Sequence, residues 1–211
     1  MAGWPYTRPL PPQHLRRPGL GFARAEELEH FVRAEFVSRG GIFFDREHEH
    51  LQRATVGILW AASVHVDKGS VKAGTAQLVK RGEPRKWSDA VVACFLHEHF
   101  GPNLPTFRIT LSAPICAEYD DREFFALVDH ELSHCGVARC PHSGAPLFSE
   151  ATGETIWKGR PHDAETFEGT TERWGAAASG SAGVVAAALK RPRFGWVPGR
   201  DLDIHKACGT P

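Results

Sequence analysis

"YDDREFFALVDHELSHCG", residues 119–136, reads as one helix with its start signal attached. Asp120 and Glu123 match a capping box, in which two short-range side-chain bonds satisfy backbone donors at the helix start. Phe125, Val128, Leu132 and Cys135 then fall on one stripe at helical spacing, which predicts a buried face. Gly136 supplies a C-terminal stop. The same stretch places His130 and His134 four residues apart, with Glu131 next to the first. Residues four apart on a helix share a face, so both imidazoles project side by side. Each can reach a common metal ion about 2.0–2.1 Å away. Glu131 lies about 100° further round, beside such an ion rather than on it. That is where a carboxylate can act as general base toward water.

Two other stretches make the pattern less special than it looks. "REHEH" (46–50) and "LHEHF" (96–100) also set a glutamate between histidines, and the chain has 12 histidines. In both, the histidines are two apart, which on a helix turns them to different faces. His48, His50, His97 and His99 are therefore expected to be surface or incidental groups. A solvated histidine pair is the plain alternative for HELSH as well. The cap, the apolar stripe and a preceding apolar strand weigh against it.

A catalytic zinc takes three protein ligands and keeps one position open. His162, in "RPHDAETFEGTTERWG" (160–175), begins a second predicted helix and is the first choice. Glu165 and Glu168, further along that helix, are the alternatives, and Asp163 could orient a ligating His162. His142 comes soon after the Gly136 stop and is hard to place. Cys135, Cys140 and His142 lack an evident fourth ligand for a structural zinc site. Nothing marks one cysteine as an activated nucleophile.

The chain has 211 residues, 42% hydrophobic and 24% charged, as in a soluble domain with tails. Its formal net charge is zero, so no global field draws it to nucleic acid or an anionic membrane. Clusters such as Arg16–Arg17 and Lys80–Arg81 read as solvated surface. No run of about 18 apolar residues is present to span a membrane. The opening "MAGWPYTRPLPPQHLRRPGLGF" is proline-broken and lacks an export signal's apolar core. With five cysteines, an odd count, this leads to an expectation of reduced thiols and a cytoplasmic location. Along the chain, residues 1–22 read as a Pro-rich extension and Ala23–Ser38 as an amphipathic helix. Thr55–Val66 and Val71–Arg81 read as strands paired across "DKGS". "WSDAVVACFLHEHFG" favours a helix, and Thr106–Cys116 alternates as a strand. "APLFSEATGETIWKG" reads as two short strands around "ATGE". A short helix is expected at Val184–Lys190, within a small-residue-rich tail, 176–211. The class is α+β.

"DHELSHC" followed by "PHDAETFEGTTERWG" resembles the putative phage metallopeptidase family and, more distantly, the SprT-like and YgjP-like small zincins. The resemblance covers Ala23 to Gly175. It implies a compact zincin-like domain over 23–175. A small, mostly antiparallel sheet would pack on an N-terminal helix, an HExxH helix and a second ligand-bearing helix. It implies a zinc ion (Zn2+) held by His130, His134 and His162, with Glu131 as base. The implied activity is a zinc metallopeptidase acting on a protein or peptide substrate, in the host cytoplasm if phage-encoded. The interval from His134 to His162 is long for a minimal zincin, and the expected hairpin fills it. A metzincin is disfavoured, because its Met-turn needs a methionine after the motif and the only one is Met1. Tyr6 and Tyr119 are oxyanion donors by residue type alone. If the strand before the HExxH helix has a free edge, a peptide could add to it. Two other classes fit the residues: a zinc amidohydrolase of non-peptide substrates, and a non-catalytic metal-binding phage factor acting on a host partner. Product analysis separates the first, and a Glu131→Gln variant that keeps full biological effect would favour the second.

Overall fold

Residues 7–67, 70–80, 82–162, 176–177 and 181–190 are described by the structure, a computed structural model. By internal contacts the chain divides into two units. One is Met1–Arg160 with Asp203–Thr210, and the other is Pro161–Leu202 with Pro211.

The first unit is built on a four-stranded sheet. Its strands are β1 (Phe22–Arg24), β2 (Val56–Ala61), β5 (Gly74–Leu78) and β6 (Phe107–Ser112), in the order β1-β2-β6-β5. β2 and β6 are parallel, while β1 on β2 and β5 on β6 are antiparallel. The central strands show why they are central. "VGILWA" in β2 is nearly continuous apolar sequence and is buried on both faces. In β6, Phe107, Ile109 and Leu111 point into the main core, while Arg108 and Thr110 alternate to the other side.

Helices cover both faces. Helix α1 (Glu26–Val32), extended by a π turn over Arg33–Val37, packs with Leu28, Val32 and Phe36 against Ile58, Trp60 and Ile109. Helix α2 (Trp87–Phe100) lies on the opposite face, where Leu96 and Phe100 meet Leu59 and Val79. It ends at Gly101, whose φ of 70° favours glycine. A short helix α3 (Ala113–Glu118) follows β6 directly. Then comes α4 (Asp121–Ser133), which buries Phe124, Phe125, Leu127, Val128 and Leu132 against the sheet and α1. Phe125 lies 5.4 Å from Phe31 and 4.7 Å from Phe43, ring centre to ring centre. Burying five such side chains contributes on the order of 1.5–3 kcal/mol each before entropy is charged against it. A 3-10 helix over Arg46–Arg53 lies between α1 and β2 in sequence.

Several expectations change. The predicted hairpin forms only at its tip, where β3 (His65–Asp67) pairs with β4 (Ser70–Lys72). β5 then pairs with β6 rather than with β2, whose two edges are already taken by β1 and β6. β6, the strand before α4, is held on both sides and offers no edge to a peptide. Residues 113–116, expected as the end of a strand, instead begin α3. The Pro-rich start is no bare extension, since Leu15 joins the core. Arg8 is buried there too, bonded to the Cys116 carbonyl at 2.8 Å and to Asp121 at 3.0 Å. Helix α4 stops at Ser133 rather than at Gly136. The next residues form β7 (Cys135–Val137), which pairs with β8 (Trp157–Gly159). The intervening chain folds back as expected around "ATGE", with bridges Arg139–Pro146 and Phe148–Thr155. The class is α+β, as the sequence indicates.

In the second unit, α5 spans Ala182–Ala188, and the Ser181 N–H donates to the Ala176 carbonyl at 2.9 Å. The second predicted helix beyond His162, with Asp163, Glu165 and Glu168, lies outside the described residues, as does Tyr6. Among the described residues no helix is long and apolar enough to cross a membrane.

Candidate metal centre

Helix α4 is built as its sequence predicts at the N-terminus. The Glu123 N–H donates to Asp120 Oδ1 at 2.8 Å, and the Asp120 N–H donates to Glu123 Oε2 at 2.8 Å. This fixes the helix start, and the buried stripe fixes its rotation. Rotation in turn decides where the histidines go. His130 sits in the last turn, and His134 is the C-cap, still in the α conformation at φ −74° and ψ −18°. The four-residue spacing thus survives although the motif closes the helix rather than occupying its middle.

The two Nε2 atoms stand 3.3 Å apart. Two nitrogens bound to one tetrahedral zinc stand roughly 3.3–3.4 Å apart, from bond lengths of about 2.0–2.1 Å. His134 Nδ1 lies 2.7 Å from the Arg160 carbonyl. A carbonyl can only accept, so Nδ1 carries the proton and the Nε2 lone pair faces the site. The nitrogens of His130, His134 and His162 all lie within 4.8 Å of one another. Among the described residues this is the set of three metal-ligating side chains brought together. His162 follows Arg160 by two residues, and Arg160 is held by its N–H on the His134 carbonyl at 2.9 Å.

Glu131 is wholly buried. A methyl group added at Gly74 in β5 would come within 2.7 Å of Glu131 Oε1 and 3.1 Å of its carboxyl carbon. The carboxylate therefore lies directly against the β5 backbone, where only glycine leaves room. Nearby thiols feel the same burial. Burial raises the Cys116 thiol to about 12, with the Glu131 charge adding to the shift. Burial raises Cys135 further, again with help from Glu131. Both thiols stay protonated, which argues against cysteine nucleophiles here.

The stretches set aside in the sequence divide. His97 and His99 lie along α2, His97 bonding its own helix end at Gly101. The "REHEH" stretch is not incidental. His48 is buried, with Nε2 at 3.4 Å from Ser133 Oγ, and His50 Nε2 lies 2.6 Å from the Cys135 carbonyl. Gly74, His48, His50 and the Arg160 carbonyl are the site residues that sequence spacing missed. His48 and His50 meet α4 and its end across 85 residues of chain, so no local periodicity could reveal them. Tyr119 precedes the cap of α4, at the end of the helix away from His130 and Glu131. A cavity of about 1150 Å3 opens on the α2 side of the sheet among Gln77, Arg108, Asp89 and His97. None of the three histidines lines it.

The model of the family described as "Putative phage metallopeptidase" matches residues 29–190, which include the three histidines and Glu131. The chain belongs to this phage metallopeptidase family. Searches of curated proteins and of solved structures give no match. Membership in a metallopeptidase family implies a metal cofactor and a protein or peptide substrate, and the three-histidine cluster is compatible with the first.

Proposed function

We propose that this protein is a zinc-dependent peptidase in which His130, His134 and His162 hold the ion and Glu131 is the general base. The observation that carries this is the pair of Nε2 atoms at tetrahedral-ligand separation, with the opposite nitrogen of His134 committed to a carbonyl. A backbone carbonyl on the far nitrogen fixes ring and tautomer, as is usual for metal-ligating histidine. Three histidines leave one coordination position for chemistry, and neutral imidazoles suit zinc. Zinc, when bound, supplies Lewis acidity toward a carbonyl oxygen and an acidified water. Glu131 accepts the proton of the attacking water and returns it to the leaving amine. Its burial removes competing solvent, and Gly74 sets its position. The phage-family membership supports reading the gene as phage-borne, and the small-zincin resemblance supports grouping the fold with SprT-like and YgjP-like proteins.

Elemental analysis after chelator-free purification tests the ligand set. We expect about one zinc per chain in the native protein and a marked loss in His162→Ala. Zinc retained in full by that variant would move the third ligand elsewhere. In Glu131→Gln we expect zinc to stay and peptide hydrolysis to fall by about 10²–10⁴-fold. Undiminished hydrolysis would remove Glu131 from the mechanism.

A further inference from the structure

The second metal ligand, His134, sits where helices are weakest. Past the last turn, backbone carbonyls lose their intrahelical partners and helix ends fray. Around this helix end, contacts arrive from three residues of one distant segment. Glu47 Oε2 lies 3.3 Å from Arg160 Nη1, and Arg160 is the residue whose carbonyl orients the His134 ring. His48 reaches the two residues that immediately precede the ligands. Its Nε2 is 3.4 Å from Ser133 Oγ, and its Nδ1 is 3.7 Å from Asp129 Oδ1. Ser133 Oγ donates in turn to the Asp129 carbonyl at 2.9 Å. His50 Nε2 donates to the carbonyl of Cys135, the residue just after His134, at 2.6 Å.

The segment is itself held firmly. Asp45 caps it by accepting the Glu47 N–H at 2.9 Å. Leu51 is completely buried, and Arg33 donates to the Leu51 and Gln52 carbonyls at 2.8 and 2.7 Å. Glu49 pairs with Arg39 on the outer side. Four contacts from three residues of this firmly held segment therefore fall on Asp129, Ser133, Cys135 and Arg160, each within one or two residues of a proposed ligand.

We propose that the Arg46–Arg53 segment is a strap that positions the metal ligands of α4, with His50 as its principal contact and His48 and Glu47 as supports. This rests on the three-histidine reading of the site. The strap touches neither metal nor substrate. It holds the backbone from which His134 projects, so the free protein already has the bound geometry.

The test is the zinc dissociation constant of the full chain, measured by competition with a chromophoric chelator, alongside thermal unfolding of the metal-free forms. His50→Leu should raise the constant by about 10–100-fold, the usual range for losing a group that orients a ligand. His50→Gln places an amide N–H near the former Nε2 and should return the constant to within about threefold of wild type. A merely structural role would lower unfolding temperatures without separating Leu from Gln in zinc affinity, and that result would overturn the strap. So would a His50→Leu protein that binds zinc like wild type. Should His50→Leu fail to fold, Ser133→Ala, which removes only the hydroxyl facing His48, gives the decision. A constant raised at least about threefold supports the strap, and an unchanged one overturns it. Wild type that binds no zinc overturns the site reading and the strap with it. Wild type that binds while the variants match it overturns the strap alone.

Discussion

Glu131 is a carboxylate with no solvent exposure, and its fit depends on an atom that Gly74 lacks. A Cβ at 2.7 Å from Oε1 is closer than non-bonded atoms tolerate, so one of the two must move. Gly74→Ala is expected to shift the carboxylate, lowering kcat about 10²-fold while metal content stays at the wild-type level. Overpacking should also cost about 1–3 kcal/mol of stability. Steady-state peptide hydrolysis beside elemental analysis checks this, and wild-type kcat in the variant would detach Gly74 from catalysis. The two partners differ in legibility. Glu131 is readable from HExxH because the role proposed for it follows from helical angle. Gly74, in "KAGTAQ", is an ordinary strand glycine until α4 is laid over it.

Helix α4 is the element whose sequence and structure agree best, because its signals are local. Cap, buried stripe and ligand spacing all lie within one stretch, and each acts through neighbours three or four residues away. Its two ends do separate jobs. Asp120→Ala removes the cap and is expected to cost about 1 kcal/mol, read as a lowered urea midpoint. Zinc stoichiometry should be unchanged, since the cap lies at the opposite end from His130 and His134. A variant that lost metal as well would show that the two ends are coupled. The helix terminus was less legible. Gly136 looked like a stop, but pairing of β7 with β8 draws the chain out of the helix at His134. β5 shows the same limit. Its alternation is visible, yet its partner is set by β6, reached only after α2 has crossed to the other face.

For the whole molecule, buried His48 ties stability to pH. Its pKa is lowered from 6.5, chiefly by burial and next by the neighbouring His50, against opposing pulls from Asp45 and Glu47. The unfolded chain therefore takes up a proton near pH 6.5 that the folded chain resists. Stability from His48 is complete above that value and is lost as pH falls from it toward the folded pKa. Metal-free protein should thus weaken on acidification from about pH 7 to about pH 5, and His48→Gln should flatten that slope. Urea midpoints across the range provide the check, and identical slopes in the two proteins would sink the assignment. Metal-loaded protein should weaken further, because protons compete for imidazole ligands.

The amino-acid sequence alone determined the α+β class, the helix of HELSH with its cap, and the choice of His130, Glu131, His134 and His162 as the residues to watch. All but His162 follow from periodicity and spacing, which act over a turn or two of chain, while His162 rests on its place at the start of a second predicted helix and on the family resemblance. Tertiary structure alone decided that β2 and β6 are parallel neighbours and that Gly74 backs Glu131. It also decided that Arg160 fixes the His134 tautomer and that "REHEH" braces the helix end. Each of these joins residues far apart in the chain. What selects them is which apolar faces can be buried together, and no window of local sequence contains that choice.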